Sequence, residues 1–130
     1  MRYTKKTVDE NTVLRMAKYI ARKYDCVCDF VELEDGTFLY IHNKAINLLI
    51  TITSVRNDRD CIKLEEIMIE EEFRGKGLGT KVVKDLIELS KAKGVRLGLW
   101  CDRNNKRLFN YYSRLGFKYM ETLDDDWLEV

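Results

Sequence analysis

A glycine-rich segment between two different periodicities constrains the fold of this chain more than any other feature. Residues 74–80 read Arg-Gly-Lys-Gly-Leu-Gly-Thr. The residues before them, 62–69, have strand character, whereas residues 81–93 carry apolar side chains at helical spacing, with Gly94 where a helix ends. Glycine lets backbone N–H groups converge on one point, and the N-terminus of the following helix is electropositive. We therefore expect a strand–loop–helix unit that holds an anion.

The remaining sequence alternates helical and strand patterns. Residues 11–24 predict an amphipathic helix that Asp9 or Asn11 can cap, and Asp35-Gly36 predicts a hairpin turn. Asn104 or Asn105 can cap a last helix that ends at Gly116. Further strands are predicted at residues 30–33, 38–41, 46–55, 95–100, 117–121 and 127–130, with a polar turn at 56–60. The pattern predicts an α/β fold in which residues 1–130 form one domain, with a mixed, mostly antiparallel sheet flanked by helices.

Composition narrows the classes of function. The chain has 23 basic and 22 acidic residues, so its charge gives no general case for a nucleic-acid partner. Its longest apolar stretch is far shorter than the roughly 20 residues that span a membrane. Four cysteines without a secretory signal favour a reducing cytoplasm, and a Cys-x-Cys pair with the single histidine, His42, falls short of a zinc site. We expect a cytoplasmic protein without a metal, in which His42 is structural.

The glycine segment does not fit the standard nucleotide motifs. A Walker A loop requires Gly-x-x-x-x-Gly-Lys-Ser/Thr, and a dinucleotide fingerprint requires a glycine where Thr80 stands. Three alternate glycines flanked by Arg74 and Lys76 nevertheless favour an anion site over a purely structural turn. The identity of the anion stays open on these grounds.

Two motifs in the right order carry a resemblance to a known family. Arg74-x-x-Gly77-x-Gly79 follows the strand Leu64-Glu65-Glu66-Ile67-Met68-Ile69. Downstream, a segment begins at Asn105 and ends in Tyr112-Ser-Arg-Leu-Gly-Phe117. The pair resembles the acetyl-CoA signature and the Asn-containing helix of the GNAT N-acetyltransferase superfamily. The resemblance covers residues 61–117 well, about half of the chain.

The resemblance implies that acetyl-CoA is the co-substrate and that an amine is the acceptor. Backbone N–H groups of the strand end would face the acetyl carbonyl, the glycine segment would hold the diphosphate, and the capping asparagine would contact the pantetheine arm. The residues in these cofactor roles are Ile67, Met68, Ile69, Arg74, Gly75, Lys76, Gly77, Leu78, Gly79, Thr80 and Asn105.

Acetylation of an amine requires the removal of a proton. At pH 7 only about one alkylamine in 2,500 is neutral, a penalty of roughly 4.6 kcal/mol. The resemblance favours Glu65 as the general base, and alternation along a strand places Glu66 on the opposite face. The alternative is a surface glutamate pair without a catalytic role.

The departing thiolate requires a proton donor. The resemblance favours Tyr112 in this role, and the alternative is a core aromatic residue. Tyr111 lies about 100° away around the helix, so it serves as the control position.

The acceptor is predicted to be a small-molecule or peptide amine. Leu64-Glu65-Glu66-Ile67 and the acidic run before Trp127 resemble the spermidine/spermine-acetylating branch, so Glu66, Asp124, Asp125 and Asp126 are candidate contacts for a small polyamine. An acidic turn without any ligand is the alternative for the run. A noncatalytic acyl-CoA-binding regulatory module is the second interpretation of the whole chain, and the sequence leaves a homodimer open.

Overall fold

The computed structural model describes residues 8–33, 36–55, 59–120 and 126–130 of the chain. The helices and strands alternate as the sequence predicts. The helices are α1 (Glu10–Tyr24), α2 (Leu78–Lys93) and α3 (Lys106–Arg114), and a 3-10 turn spans Glu71–Phe73. The strands are β1 (Val27–Leu33), β2 (Gly36–His42), β3 (Ile46–Val55), β4 (Arg59–Ile69), β5 (Leu97–Trp100), β6 (Lys118–Tyr119) and β7 (Trp127–Glu129).

The strands form a seven-stranded sheet in the order β1-β2-β3-β4-β5-β7-β6. β1 to β4 are an antiparallel meander, and β7 is antiparallel to both of its neighbours, β5 and β6. β4 and β5 pair in parallel, because the chain crosses over through α2 between them. The predicted mixed, mostly antiparallel sheet is therefore confirmed. In the sequence, the two strands of the parallel pair lie on either side of the glycine segment.

Element boundaries differ from the prediction where backbone hydrogen bonds decide them. α2 begins at Leu78 rather than at residue 81, because Gly77 takes a left-handed conformation there and its carbonyl accepts from the Lys81 N–H. β5 begins at Leu97 rather than at residue 95, because the Val95 N–H bonds back to the Ser90 carbonyl and closes α2. Residues 34–35, 56–58 and 121–125 lie outside the described residues. The described parts of the predicted turns at Asp35-Gly36 and at residues 56–60 belong to strands, because β2 begins at Gly36 and β4 begins at Arg59.

Local sequence accounts for the helix ends. The Asp9 carboxylate caps α1 by accepting from the Asn11 N–H at 3.1 Å, and Gly94 ends α2 with a φ of 67°. Asn105 caps α3 by accepting from the Leu108 N–H at 3.2 Å. Of the alternatives left open by the sequence, Asp9 and Asn105 are therefore the caps.

One hydrophobic cluster holds the three helices and the sheet together. Met16 and Ile20 of α1, Leu86 of α2 and Tyr112 of α3 all belong to it, with inward-facing residues of the central strands. α1 and α2 are further tied by Asp85, which accepts from Lys23 at 3.1 Å and from the Tyr24 hydroxyl. Within the described ranges, no helix is both long and apolar enough to cross a membrane.

Candidate functional site

The N-terminus of α2 is built to receive an anion. Gly75 and Gly77 have positive φ values of 84° and 75°, which an L side chain adopts only with strain. No side chain caps the helix, and its first intrahelical bond is made by the Lys81 N–H. The N–H groups that precede this bond therefore have no intrahelical acceptor and are available to a ligand.

The loop before α2 is anchored to the end of β4. The Arg74 Nε donates to the Ile69 carbonyl at 2.7 Å, so the loop folds back onto the strand. Gly79 packs against the same residue, since a Cβ at position 79 would lie 3.3 Å from the Ile69 side chain. Lys76 is exposed and adds positive charge beside the N-terminus of the helix.

β4 and β5 separate soon after they meet. Their described pairing consists of Ile62 with Leu97 and Lys63 with Gly98, although β4 continues to Ile69. The last residues of β4 therefore have β3 on one side and an open gap on the other. From this end of β4 the chain continues through the 3-10 turn and the glycine segment into α2.

The hydrogen-bond alternation of β3 and β4 indicates which backbone groups face the gap. The Glu70 N–H bonds to the Ala45 carbonyl at 2.8 Å, and Ile46 directs its carbonyl to Asn43, away from β4. In an antiparallel pair the bonds alternate, so Met68 is directed toward β3, whereas Ile67 and Ile69 are directed toward the gap. Of the three predicted backbone donors, Ile67 and Ile69 are therefore the ones suitably oriented.

A β-bulge changes the expected orientation of the two glutamates. Leu49 pairs with Glu66 and Ile50 pairs with Leu64, so Glu65 is an extra residue in β4. Leu64 and Ile67 pack against the core, while Glu65 and Glu66 between them are both exposed. The prediction that the glutamates point to opposite faces was wrong, because a bulge interrupts the period of two.

Glu65 forms an ion pair with Lys63, a residue that was not predicted to belong to the site. The Lys63 Nζ lies 3.1 Å from the Glu65 Oε1 and 5.8 Å from the centre of the Trp100 ring. A carboxylate and an aromatic face are both groups that attract a cationic amine. The available signal was spacing, since residues two apart on a strand share a face. The side chain of Glu66 makes no hydrogen bond or ion pair with the described residues, although its backbone pairs with Leu49 of β3.

α3 contacts the first turn of α2, next to the glycine segment. The Tyr111 hydroxyl lies 2.7 Å from the Thr80 Oγ1 in the first turn of α2. A cavity of about 580 Å³ opens beside α3. Its lining residues are Asn105, Arg107, Leu108, Tyr111 and Arg114. The structure thus brings Asn105 and the glycine segment into one region. Tyr111 contacts Thr80 in this region, so it is not a neutral control position for Tyr112.

Tyr112 is buried on the core side of α3, with 8% of its surface exposed. Its ring packs edge-on against Tyr111 and against Phe117, at 5.1 and 5.6 Å between ring centres. Burial is the main cause that raises the pKa of its phenol to about 12, with smaller contributions from Tyr111 and Cys101. The hydroxyl therefore stays protonated through the physiological range.

The acidic run near the C-terminus is only partly described. Asp124 and Asp125 lie outside the described residues. Asp126 accepts from the Arg103 Nε at 2.7 Å, so its charge is already compensated. Trp127 is fully buried and donates to Glu129, which makes it a core residue.

His42 belongs to a polar group on β1 to β4. Its Nε2 lies 2.7 Å from the Asp29 carboxylate, and its ring stacks on Tyr40 at 4.1 Å. Tyr40 in turn bonds to Asn47, whose amide donates to Glu70 at 2.7 Å. These contacts account for His42 as a cross-strand structural residue.

Comparison with known proteins gives a consistent family match. Residues 9–117 match the acetyltransferase (GNAT) family. An uncharacterized N-acetyltransferase of Methanocaldococcus jannaschii is 36% identical over 73 residues, which cover 55% of this chain and 32% of that protein. The spermine/spermidine N(1)-acetyltransferase of Bacillus subtilis is 36% identical over 72 residues, which cover 52% of this chain and 46% of that protein. The matched segment thus spans less than half the length of either relative.

The fold has counterparts among solved structures. The complex of AtaTR bound with AcCoA is 14% identical in sequence, with a TM-score of 0.53 over 97% of this chain and 82% of that chain. At this level of identity the likeness concerns the fold alone.

Proposed function

This chain belongs to the acetyltransferase (GNAT) family, and from that premise we propose that it transfers an acetyl group from acetyl-CoA to a primary amine. GNAT acetyltransferases use acetyl-CoA. The observation that carries the proposal is the uncapped N-terminus of α2 at the mouth of the gap between β4 and β5. In this proposal the diphosphate binds at the start of α2, and the acetyl group lies in the gap between β4 and β5.

The residues present fit this co-substrate. The N–H groups at the start of α2 and the side chains of Arg74 and Lys76 suit a diphosphate. The cavity beside α3 supplies Asn105 and the exposed Leu108 for the polar and apolar parts of the pantetheine arm. Bound acetyl-CoA supplies a thioester, whose carbonyl carbon accepts the amine nitrogen.

Glu65 removes the proton from the amine in this proposal. Its side chain is 26% exposed and already binds one ammonium group, that of Lys63. An acceptor amine entering the same position gives its proton to Glu65, directly or through water. Glu66, on the same face, is the alternative base.

Two backbone groups and one side chain assist the transfer. The N–H groups of Ile67 and Ile69 stabilise negative charge on the acetyl oxygen during attack. Tyr112 donates a hydrogen bond to the departing sulfur. Complete proton transfer from a phenol of pKa about 12 to a thiolate whose thiol has a pKa near 8.5 is uphill by about 5 kcal/mol. We therefore assign Tyr112 the role of hydrogen-bond donor, with solvent protonating the free thiolate.

We propose a small cationic amine of the polyamine type as the acceptor. The similarity to a spermine/spermidine N(1)-acetyltransferase supports this class. Glu66, exposed and beside Glu65, is the proposed contact for a second ammonium group. Asp126 is less suited to this role because Arg103 already pairs with it. Asp124 and Asp125 remain candidates from the sequence.

The acceptor is tested by kcat/KM for spermidine and for an uncharged-tail monoamine. Glu66→Gln should reduce the preference for spermidine about tenfold, while Asp126→Asn leaves it within twofold. The opposite ranking would assign the second ammonium to the acidic run. Equal rates for both amines in the wild type would remove the polyamine proposal.

The proposed activity is tested by free-thiol release from acetyl-CoA in the presence of amines. The expected result is release that depends on both the protein and the amine. Tight binding of acetyl-CoA without any release would instead identify a noncatalytic acyl-CoA-binding module.

A further inference from the structure

A single hydrogen bond joins the two halves of the proposed cofactor site. The Tyr111 hydroxyl and the Thr80 Oγ1 lie 2.7 Å apart, across 31 positions of sequence, in a partly buried setting. Thr80 lies in the first turn of α2, and Tyr111 lies in the middle of α3. The proposed acetyl transfer assigns no role to either of the two hydroxyl groups.

The bond fixes a distance that the proposed reaction depends on. On one side, the backbone at Thr80 belongs to the helix N-terminus that faces the diphosphate. On the other side, Tyr111 is adjacent to Tyr112 and packs edge-on against its ring at 5.1 Å. Asn105, at the start of α3, moves with them because it caps the same helix.

α3 has few other attachments to the loop. It is a short helix, and Tyr112 is the one buried residue along its length. The hydroxyl pair is the one side-chain hydrogen bond between α3 and α2 that the described residues show. A small rotation of α3 would therefore be resisted by this bond and by the packing of Tyr112.

We propose that Thr80 and Tyr111 are a positioning pair that sets α3 against the phosphate-binding loop. A co-substrate held by its diphosphate at α2 then presents its sulfur at the Tyr112 hydroxyl. This proposal rests on the acetyl-transfer function proposed above. Neither side chain touches the reacting atoms, so loss of the bond affects turnover more than binding.

The test uses variants that remove one hydroxyl without changing the backbone. Thr80→Val and Tyr111→Phe keep the N–H groups of the loop, so the Kd for coenzyme A measured by calorimetry should change less than threefold. The kcat for acetyl transfer should fall about tenfold in each variant, because displacement of a catalytic group by a fraction of an ångström is costly. Thr80→Ser, which keeps the hydroxyl, should restore most of the kcat that is lost in Thr80→Val.

The double variant separates a shared bond from two independent contributions. Thr80→Val combined with Tyr111→Phe should be no slower than either single variant, because both remove the same interaction. Amide hydrogen exchange in residues 106–114 of the protein without ligand should be faster in both single variants and unchanged in Thr80→Ser. This exchange measurement does not require activity.

Three results would overturn the proposal. Losses in kcat that multiply in the double variant would mean that the two hydroxyls act separately. A loss in Tyr111→Phe as large as that in Tyr112→Phe, with Thr80→Val unaffected, would make Tyr111 the hydrogen-bond donor to the sulfur. Unchanged hydrogen exchange in α3 would show that the bond does not position the helix. If the wild type released no thiol, the proposed function would fail, and the exchange measurement would still decide the positioning claim.

Discussion

The Glu65 Oε1 lies 3.1 Å from the Lys63 Nζ, on the same strand and beside the gap between β4 and β5. Lys63 and Glu65 share a face of the strand because they are two positions apart. The lysine ammonium stands where the proposed mechanism requires the ammonium of the acceptor. Lys63 is therefore expected to compete with the substrate for Glu65.

Replacement of Lys63 with methionine tests this competition. The methionine keeps an apolar side chain near Trp100 but removes the charge. We expect the KM for a cationic amine to fall about threefold to tenfold, as for a partly exposed charge pair worth about 1 kcal/mol. Lys84→Met, on the exposed face of α2, is the control and should leave KM unchanged. An increased KM in Lys63→Met would show that Lys63 assists acceptor binding.

The two glutamates of the bulge are distinguished by separate substitutions. Glu65→Gln should reduce kcat/KM about 100-fold for every amine, because it removes the base while keeping the shape of the side chain. The rate of this variant should recover as pH rises toward the pKa of the amine, since neutral amine then needs no base. Glu66→Gln should retain turnover of monoamines. A reversed pattern would assign the base to Glu66.

Tyr112→Phe removes a hydroxyl and keeps the ring that packs on Phe117. A hydrogen bond to a charged sulfur is worth about 1.5 to 3 kcal/mol, so kcat should fall about tenfold to 100-fold with little change in the Kd for coenzyme A. Tyr19→Phe, at an exposed position of α1, is the matched control. Equal kcat in wild type and Tyr112→Phe would exclude this tyrosine from the transfer step.

The raised pKa of Tyr112 also predicts a pH dependence of stability. Burial raises the pKa in the folded state to about 12, above the unfolded value near 10. The folded state thus binds the proton more tightly, so this stabilisation is full below pH 10 and is lost as pH rises toward 12. Between pH 9 and pH 11, the wild type should lose about 1 kcal/mol more unfolding free energy than Tyr112→Phe. Parallel losses in urea titrations would place the phenol in a solvated environment.

Substitution of Gly77 tests the proposal that the glycine segment binds the diphosphate. Its φ of 75° is strained for any side chain, so Gly77→Val should redirect the N–H groups at the start of α2 and weaken acetyl-CoA binding at least tenfold. Gly94→Val places the same strain at the other end of α2, where φ is 67°. The control should lower Tm and leave the Kd for acetyl-CoA unchanged. Equal affinities in both variants would move the binding site away from the loop.

Local signals in the sequence were sufficient for most of the fold. The end of α2 at Gly94 and the bounds of β3 follow from residues that act on their own neighbourhood. The caps lie among the candidates that the sequence offered, Asp9 or Asn11 for α1 and Asn104 or Asn105 for α3. The antiparallel meander of β1 to β4 was also predicted, whereas the positions of β5, β7 and β6 in the sheet come from the structure.

Features that depend on contacts between distant segments could not be predicted in this way. The bulge at Glu65 arises from the register of β4 on β3, which alternation along one strand does not reveal. Its only signal was two adjacent glutamates between Leu64 and Ile67, a break in the period of two. The bond between Thr80 and Tyr111 likewise requires the packing of α3 beside α2.

The identity of the reaction product tests the central claim most directly. Purified protein is incubated with acetyl-CoA and spermidine, and the amine is identified by mass spectrometry while free thiol is measured in the same sample. The account predicts acetylated spermidine in a one-to-one ratio with released thiol, and loss of both in Glu65→Gln. Thiol release without an acetylated amine, or no release despite bound acetyl-CoA, would contradict the assignment of acetyl transfer to an amine.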